Sequence, residues 1–207
     1  MTTVPVVSAA LVPVKRFTAA KGRMSPVLDA DQRAELARWL ATTVAAAARP
    51  LPLFVACDDE TVAQWAADAD AEVLWSPGLG LNGAVDAGRT TLAGKGFDHL
   101  VIAHSDLPLA RDLPSLVVKE TVCLVPDRRR DGTNVMSLPI DAAVAADYGA
   151  GSFRSHLDQA MAAGLRVQVR ADPRLSIDVD TPDDLRHPLL DAHLPPWVRS
   201  ALARGED

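Results

Sequence analysis

A chain of 207 residues that is 48% hydrophobic can bury one substantial core, and a single domain spanning residues 1–207 is the expectation, with a polar tail from about residue 187. The net charge of -6, from 27 acidic against 21 basic residues, argues against a protein built to hold a polyanion such as DNA. The N-terminal MTTVPVVSAALVPVK lacks a basic start and no apolar run approaches the ~20 residues that span a bilayer, so a cytoplasmic protein is expected.

Apolar β-type runs alternate with helical patterns nearly from end to end, the sequence form of a mostly parallel sheet with crossover helices. VVSAALVPV, from Val6, predicts the first strand and Leu53–Cys57 the second. Between them Leu36, Leu40, Thr43, Val44 and Ala47 form one helical stripe, with Asp29 or Asp31 available as the cap. A helix over about Asp59 to Ala69 should turn Val62, Trp65 and Ala66 inward. EVLWS predicts strand three, and a helix follows from about Asn82 to Ala93. HLVIAHS reads as strand four, DLPSLVVKE as a short helix, TVCLVPD and NVMSLPI as strands five and six. GSFRSHLDQAMAAG forms the next helix, RVQVR and SIDVD two last strands, and a short helix from Asp183 leads into the tail, which can pack across the body or serve a dimer. Cys57 and Cys123, far apart in apolar strands, read as buried free thiols.

Three carboxylates carry the chemistry. Asp106 follows LVIAHS, and Asp178 and Asp180 sit two apart in SIDVD, so on an extended chain both leave the same face. Strand ends are where open α/β sheets bind ligands, and hard oxygen donors with no His or Cys beside them suit magnesium, which arrives with phosphates. Lys15, Arg16, Lys21 and Arg23 place four cations directly after strand one, either as a triphosphate site or as a solvated loop. The loop is neither a GxGxxG fingerprint nor a P-loop, and no serine sits in a GxSxG elbow. In SPGLGLNGAV the residues Leu81, Asn82 and Gly83 open a helix whose free N–H groups can meet an anion or a base edge, with Asn82 as an ordinary cap the alternative. Gly132 and Thr133 after DRRR, and Ser152 after two glycines, form two further candidate anion contacts, Ser152 serving equally as an N-cap. The five histidines show no metal spacing and read as structural.

Taken in order, VPVKRFTAAKGRMS, GLGLNGAV, HSDLP, DGTN, GSFRSH and SIDVDTPDDL resemble the CofC/FbiD guanylyltransferases of deazaflavin coenzyme F-420 biosynthesis. The resemblance covers about Val6 to Leu185. It implies a three-layer α/β/α, GT-A-like nucleotidyltransferase fold and transfer of GMP from GTP to a phosphorylated three-carbon acid. Phosphoenolpyruvate is the favoured acid, on an Ala-, Arg- and Asp-rich composition like that of high-GC actinobacteria, and 2-phospho-L-lactate the alternative. It further implies magnesium on Asp106, Asp178 and Asp180, Lys15 and Lys21 at the triphosphate, and Thr133, Gly149 and Ser152 on the acceptor. VPVKRFTAAKGRM departs from the glycine-rich LxxGxxxRMG-type loop of sugar-nucleotide relatives. A cytidylyl- or uridylyltransferase of the same fold would share the aspartates; a non-enzymatic nucleotide sensor is disfavoured because carboxylates and basic loop are intact.

Overall fold

The computed structural model describes residues 6–204. The opening five residues used in the reading of the N-terminus, and the last three of the tail, lie outside that range. Seven strands form one mixed sheet: β1 (Ser8–Pro13), β2 (Leu53–Cys57), β3 (Glu72–Trp75), β4 (His99–Ala103), β5 (Thr121–Pro126), β6 (Thr133–Pro139) and β7 (Arg166–Val169), in the order β3-β2-β1-β4-β6-β5-β7. Only β6 runs against its neighbours, pairing antiparallel with β4 and β5. The central strands are buried on both faces, which is why they read as continuous apolar runs, whereas the edges β3 and β7 alternate or lie exposed.

Successive residues of each central strand supply opposite faces. Ala10, Val12, Val55, Val101, Ala103, Val125 and Val135 face α1 (Ala30–Ala48) and α2 (Glu60–Asp68). Leu11, Phe54, Ile102, Leu124 and Met136 face α3 (Gly80–Gly94) and α4 (Ser152–Ala162). The result is the expected α/β/α layering. Asp29, rather than Asp31, caps α1: its carboxylate accepts from Gln32 N–H at 2.9 Å while the Gln32 side chain accepts from Asp29 N–H at 3.1 Å. This reciprocal box typically contributes about 1 kcal/mol. Thr43, expected on the buried stripe, is half-buried, and Ala37, Ala41 and Ala48 fill the inner face instead. Val62, Trp65 and Ala66 of α2 point inward as expected, and Asp59 caps that helix. Both cysteines are buried and free.

A third apolar cluster lies beyond the sheet. Leu190, Leu194, Val198 and Ala201 of the tail pack with Met24, Leu28, Leu36, Leu40, Leu109, Ile177 and Val179. The tail, including α6 (Pro196–Arg204), therefore covers the body, since every fourth residue or so is apolar within an otherwise polar stretch.

Two expected elements differ. SIDVD forms no strand, its Ser176 closing a turn on Asp172: Asp106 lies past the end of β4, so Val179 N–H meets only the Asp106 carbonyl at 3.1 Å and no ladder continues. DLPSLVVKE shortens to a 3-10 turn over Leu113–Leu116, ending before two β-branched valines. No helix among the described residues is long and apolar enough to cross a membrane.

Candidate active site

The basic loop after β1 folds as two short 3-10 turns, Phe17–Ala19 and Gly22–Met24, hinged at Lys21 in the left-handed conformation (φ 55°). That hinge turns the Lys21 side chain inward under the sheet end. Its ammonium donates to Asp106 Oδ2 at 2.9 Å and to Asp180 Oδ1 at 3.0 Å, with the lysine side chain 9% exposed. Carboxylates separated by 74 positions in the sequence are thus held by one cation. Burial works against the ammonium, but the charges and hydrogen bonds of Asp106 and Asp180 outweigh it and hold the lysine pKa above its ordinary value. Burial likewise opposes ionised Asp106, and Lys21, with a smaller share from His104, keeps that carboxyl below the usual range.

Asp178 is the third member. Burial first, then the nearby negative charges of Asp106, Asp180 and Asp127, push its pKa up to about 6. The alternation that put Asp178 and Asp180 on one side persists without a strand: Ile177 and Val179 are buried, and both aspartates are half-buried. Three fasteners hold the segment. Asn134 Nδ2 donates to Leu175 O at 3.0 Å, Val179 N–H meets Asp106 O, and Asp184 Oδ2 accepts from Asp180 N–H at 3.0 Å and Thr181 N–H at 2.7 Å. Asp184, at the head of α5 (Pro182–Leu185), is in turn paired with Arg128, so the DRRR turn secures the far side of the site. Among the described residues no three carboxylate, histidine or cysteine side chains form a ready-made metal cluster. Lys21 stands between two of the carboxylates instead.

Two adjoining clefts open at this end of the sheet. One, of about 620 Å³, is lined by Lys15, Asp58, Ser76, Leu81, His104 and Asp106 among others. The second, of about 350 Å³, holds Lys21, Arg23 and Asp180, and shares Lys15, Ser105 and Asp106 with the first. All four loop cations line the clefts; Arg16 is paired with Asp59 at 2.9 Å, and Lys15 and Arg23 stand exposed. The N-terminus of α3 enters the larger cleft through Gly80 and Leu81 and carries no side-chain cap. Asn82 is not its cap: it lies inside the helix and bonds the Tyr148 backbone, and neither it nor Gly83 lines a cleft.

The acceptor candidates Thr133, Gly149 and Ser152 line neither cleft, and Gly149 is exposed. Thr133 and Ser152 are buried, and Ser152 Oγ accepts from Thr133 N–H at 3.0 Å. Ser152 does not cap α4; Gly151, in the left-handed conformation, holds that position. Nor is this helix terminus free for an anion, because the N–H groups of Gly151, Ser152 and Phe153 are taken by Asp131 Oδ1, Gly149 O and Asp131 O. The hydroxyls remain. His156 Nε2 accepts from Asp147 N–H, which leaves its Nδ1 proton to donate to Thr133 Oγ1 at 3.0 Å, so the threonine's own proton is available to an anion. Tyr148 lies between His104 and His156, tilted against the first at 4.9 Å and edge-on to the second at 4.8 Å, so it connects Thr133 to the wall of the larger cleft. Asp106 Oδ1, His104 Nε2 and Tyr148 Oη are buried without a hydrogen-bond partner among the described residues, as polar atoms that await a ligand or water are.

A family model described as "Guanylyl transferase CofC like" matches residues 8–193. The chain belongs to the CofC family. It is 35% identical to a phosphoenolpyruvate guanylyltransferase of Sphaerobacter thermophilus, over 90% of this chain and 93% of that protein. A Rubrobacter xylanophilus protein of the same name is 37% identical, covering 85% and 90%. The 2-phospho-L-lactate guanylyltransferase of Methanothermobacter thermautotrophicus is 32% identical, covering 86% and 82%. Among solved structures, a protein assigned as a nucleotide-diphospho-sugar transferase from Desulfovibrio desulfuricans G20 superposes with a TM-score of 0.74 over 96% of this chain and 94% of its own at 21% identity. A Leptospira borgpetersenii cytidylyltransferase reaches 0.60 at 10% identity, covering 98% and 96%. At such identities these two speak to the fold alone.

For this CofC-family chain the structure adds cleft residues that no motif pointed to. Asp58 and Ser76 line the cleft from the ends of β2 and β3, and Ser105 from the turn after β4. His104, read as structural, also lines it, and burial pushes its pKa below the ordinary value. Only the HSDLP spacing, which sets His104 two residues before Asp106, could have flagged it.

Proposed function

We propose that this chain transfers GMP from GTP to phosphoenolpyruvate, giving enolpyruvyl-2-diphospho-5'-guanosine and pyrophosphate in the cytoplasm, with 2-phospho-L-lactate as the alternative acceptor. The observation that carries the proposal is Lys21 held between Asp106 and Asp180 beside clefts whose walls present Lys15 and Arg23, unpaired among the described residues. A triphosphate needs this arrangement of cations, and a CofC-family chain supplies the guanylyl chemistry that would use it. Relatives at 35 and 37% identity are named for phosphoenolpyruvate, against 32% for the phospholactate enzyme.

In the step itself a phosphate oxygen of the acceptor attacks the α-phosphorus of GTP, and the bond from that phosphorus to the α,β-bridging oxygen breaks as pyrophosphate departs. The acceptor phosphate is already anionic near neutral pH, so no general base is required. Lys21, Lys15 and Arg23 balance the triphosphate charge, and Thr133 and Ser152 donate hydroxyl protons to the acceptor beside Gly149. Holding both reactants in line supplies much of the rate. The donor set also fits a hard dication: Asp106 Oδ1 is buried and without a partner among the described residues, and positive charge would offset both the burial and the neighbouring negative charges that raise Asp178. Magnesium held by Asp106, Asp178 and Asp180 would neutralise charge on the reacting phosphates.

The test is pyrophosphate release from GTP, magnesium and each acid separately, with ATP, CTP and UTP as controls and mass spectrometry of the product. GTP-dependent release with phosphoenolpyruvate is expected. Silence with every phosphorylated three-carbon acid would overturn guanylyl transfer, and a lactyl product alone would overturn only the acceptor.

A further inference from the structure

Asn82 follows Leu81, which lines the nucleotide cleft, yet its own side chain is spent elsewhere. Both ends of its amide are committed to one backbone unit: Tyr148 N–H donates to Asn82 Oδ1 at 2.8 Å, and Asn82 Nδ2 donates to Tyr148 O at 3.2 Å. The same face of α3 fastens the preceding loop at two more places. Asp86 Oδ1 accepts from Ala146 N–H at 3.1 Å, and Arg89 donates to the carbonyls of Ile140 at 2.6 Å, of Val144 at 2.5 Å and of Ala142. Residues 140–148 contain no helix or strand, so these side chains, spaced i, i+4 and i+7 on α3, determine where the loop lies.

The loop delivers two things to the acceptor side. Gly149 comes directly after Tyr148, and the buried Tyr148 ring rests against His156, whose Nδ1 proton is bonded to Thr133 Oγ1. Its other neighbour is His104, on the cleft wall. We propose that Asn82 is a positioning residue for the acceptor acid: it touches neither substrate, but by clamping Tyr148 to the start of the nucleotide-facing helix it sets Gly149 and the Thr133 hydroxyl at a fixed offset from bound nucleotide. The inference rests on the guanylyltransferase reading and on an acceptor held by Thr133, Gly149 and Ser152.

It makes a demand opposite to that of a nucleotide contact. In Asn82→Ala, initial rates of pyrophosphate release should show KM for phosphoenolpyruvate raised tenfold or more. KM for GTP, and the Kd for GTP measured by calorimetry without acceptor, should stay within twofold of wild type. Asp86→Ala, which frees Ala146 two residues earlier in the loop, should move the same constant in the same direction by a smaller factor, and it takes over as the test if Asn82→Ala does not fold. A rise confined to the GTP constants, an equal rise in both, or no change in either would overturn the inference. Wild-type protein inert towards all acids would instead remove the reading on which it stands.

Discussion

Replacing Lys21 by methionine keeps the length and apolar stem of the side chain, and the left-handed backbone cost at φ 55°, while deleting the charge between Asp106 and Asp180. The two arms differ in worth. Asp106 is 20% exposed beside a lysine that is 9% exposed, and truncating one partner of a buried pair costs ~3 to 5 kcal/mol, here toward the lower end. Asp180 is 48% exposed, so solvent screens its arm to ~1 kcal/mol or less. A total of about 3 kcal/mol, or ~6 to 12 °C in Tm for a chain of 207 residues, is therefore expected. Urea unfolding in a chelator at low salt, followed by the four tryptophans, measures it. Two accompanying signs follow from the charges. With the ammonium gone, burial leaves Asp106 raised instead of depressed, so it protonates in mild acid and the gap to wild type narrows as pH falls. Added magnesium should stabilise the variant more than wild type, because it can take the place the ammonium has left. A loss below ~1 kcal/mol at pH 7.5 would refute the view that this bridge organises the site.

Asp106→Asn, Asp178→Asn and Asp180→Asn should each lower turnover by roughly a hundredfold with the circular dichroism spectrum retained, and near-wild-type rates for all three at saturating magnesium would reject their role. Lys15→Ala should raise KM for GTP by about tenfold, whereas Arg16→Ala, whose guanidinium already serves Asp59, should change it little; a reversed ranking would show that the wrong cation was chosen. His99, held neutral down to about pH 4 by burial against Ser137, protonates near its ordinary pKa only when unfolded, so its contribution is complete above that value and drains away as pH falls toward 4. Since Asp178, raised to about 6, favours the fold as pH falls, the comparison is with His99→Asn, which should lose ~1 kcal/mol less than wild type between pH 7.5 and 5.5; parallel urea curves would contradict it. Gly149→Ala has open space for its Cβ but not the backbone, at φ 141°, and should cost ~1 to 3 kcal/mol in thermal unfolding together with a weaker acceptor KM; an unchanged Tm would show that the loop relaxes freely.

Much of this architecture is legible because buried parallel strands must be apolar along their whole length and amphipathic helices must repeat at their own period. Leu36, Leu40 and Val44 announce α1, and LFVAC announces β2 without ambiguity. The aspartates were legible for the same reason, as charges placed where apolar runs stop. What pattern alone misplaces is the partner of a polar side chain. Asn82 has the composition and location of a helix cap, but its bonds go to Tyr148, 66 residues away, and local spacing carries no trace of that contact. Ser152 looks like an N-cap for the same local reason, whereas a neighbouring glycine in the left-handed region takes the position and releases the hydroxyl to Thr133. SIDVD has the alternation of a strand because its apolar residues enter the third cluster, not because a ladder awaits it. For Lys21 the expectation is a place at the triphosphate; that it bridges two distant carboxylates depends on a left-handed hinge that no residue type there requires.

The reversed direction of β6 bears on how such a protein can diversify. Every other strand ends at this end of the sheet, but β6 begins there: His104 N–H, just past β4, bonds Asn134 O at the start of β6. The hairpin turn at 127–132, closed on itself by Asp127 accepting from the N–H groups of Asp131 and Gly132, consequently sits at that same end, directly before Thr133. Lengthening or shortening that turn would reshape the proposed acceptor pocket while leaving β1, β2 and the Lys21 loop untouched. Descendants of this scaffold thus have a route to a new acid that does not require relearning the nucleotide.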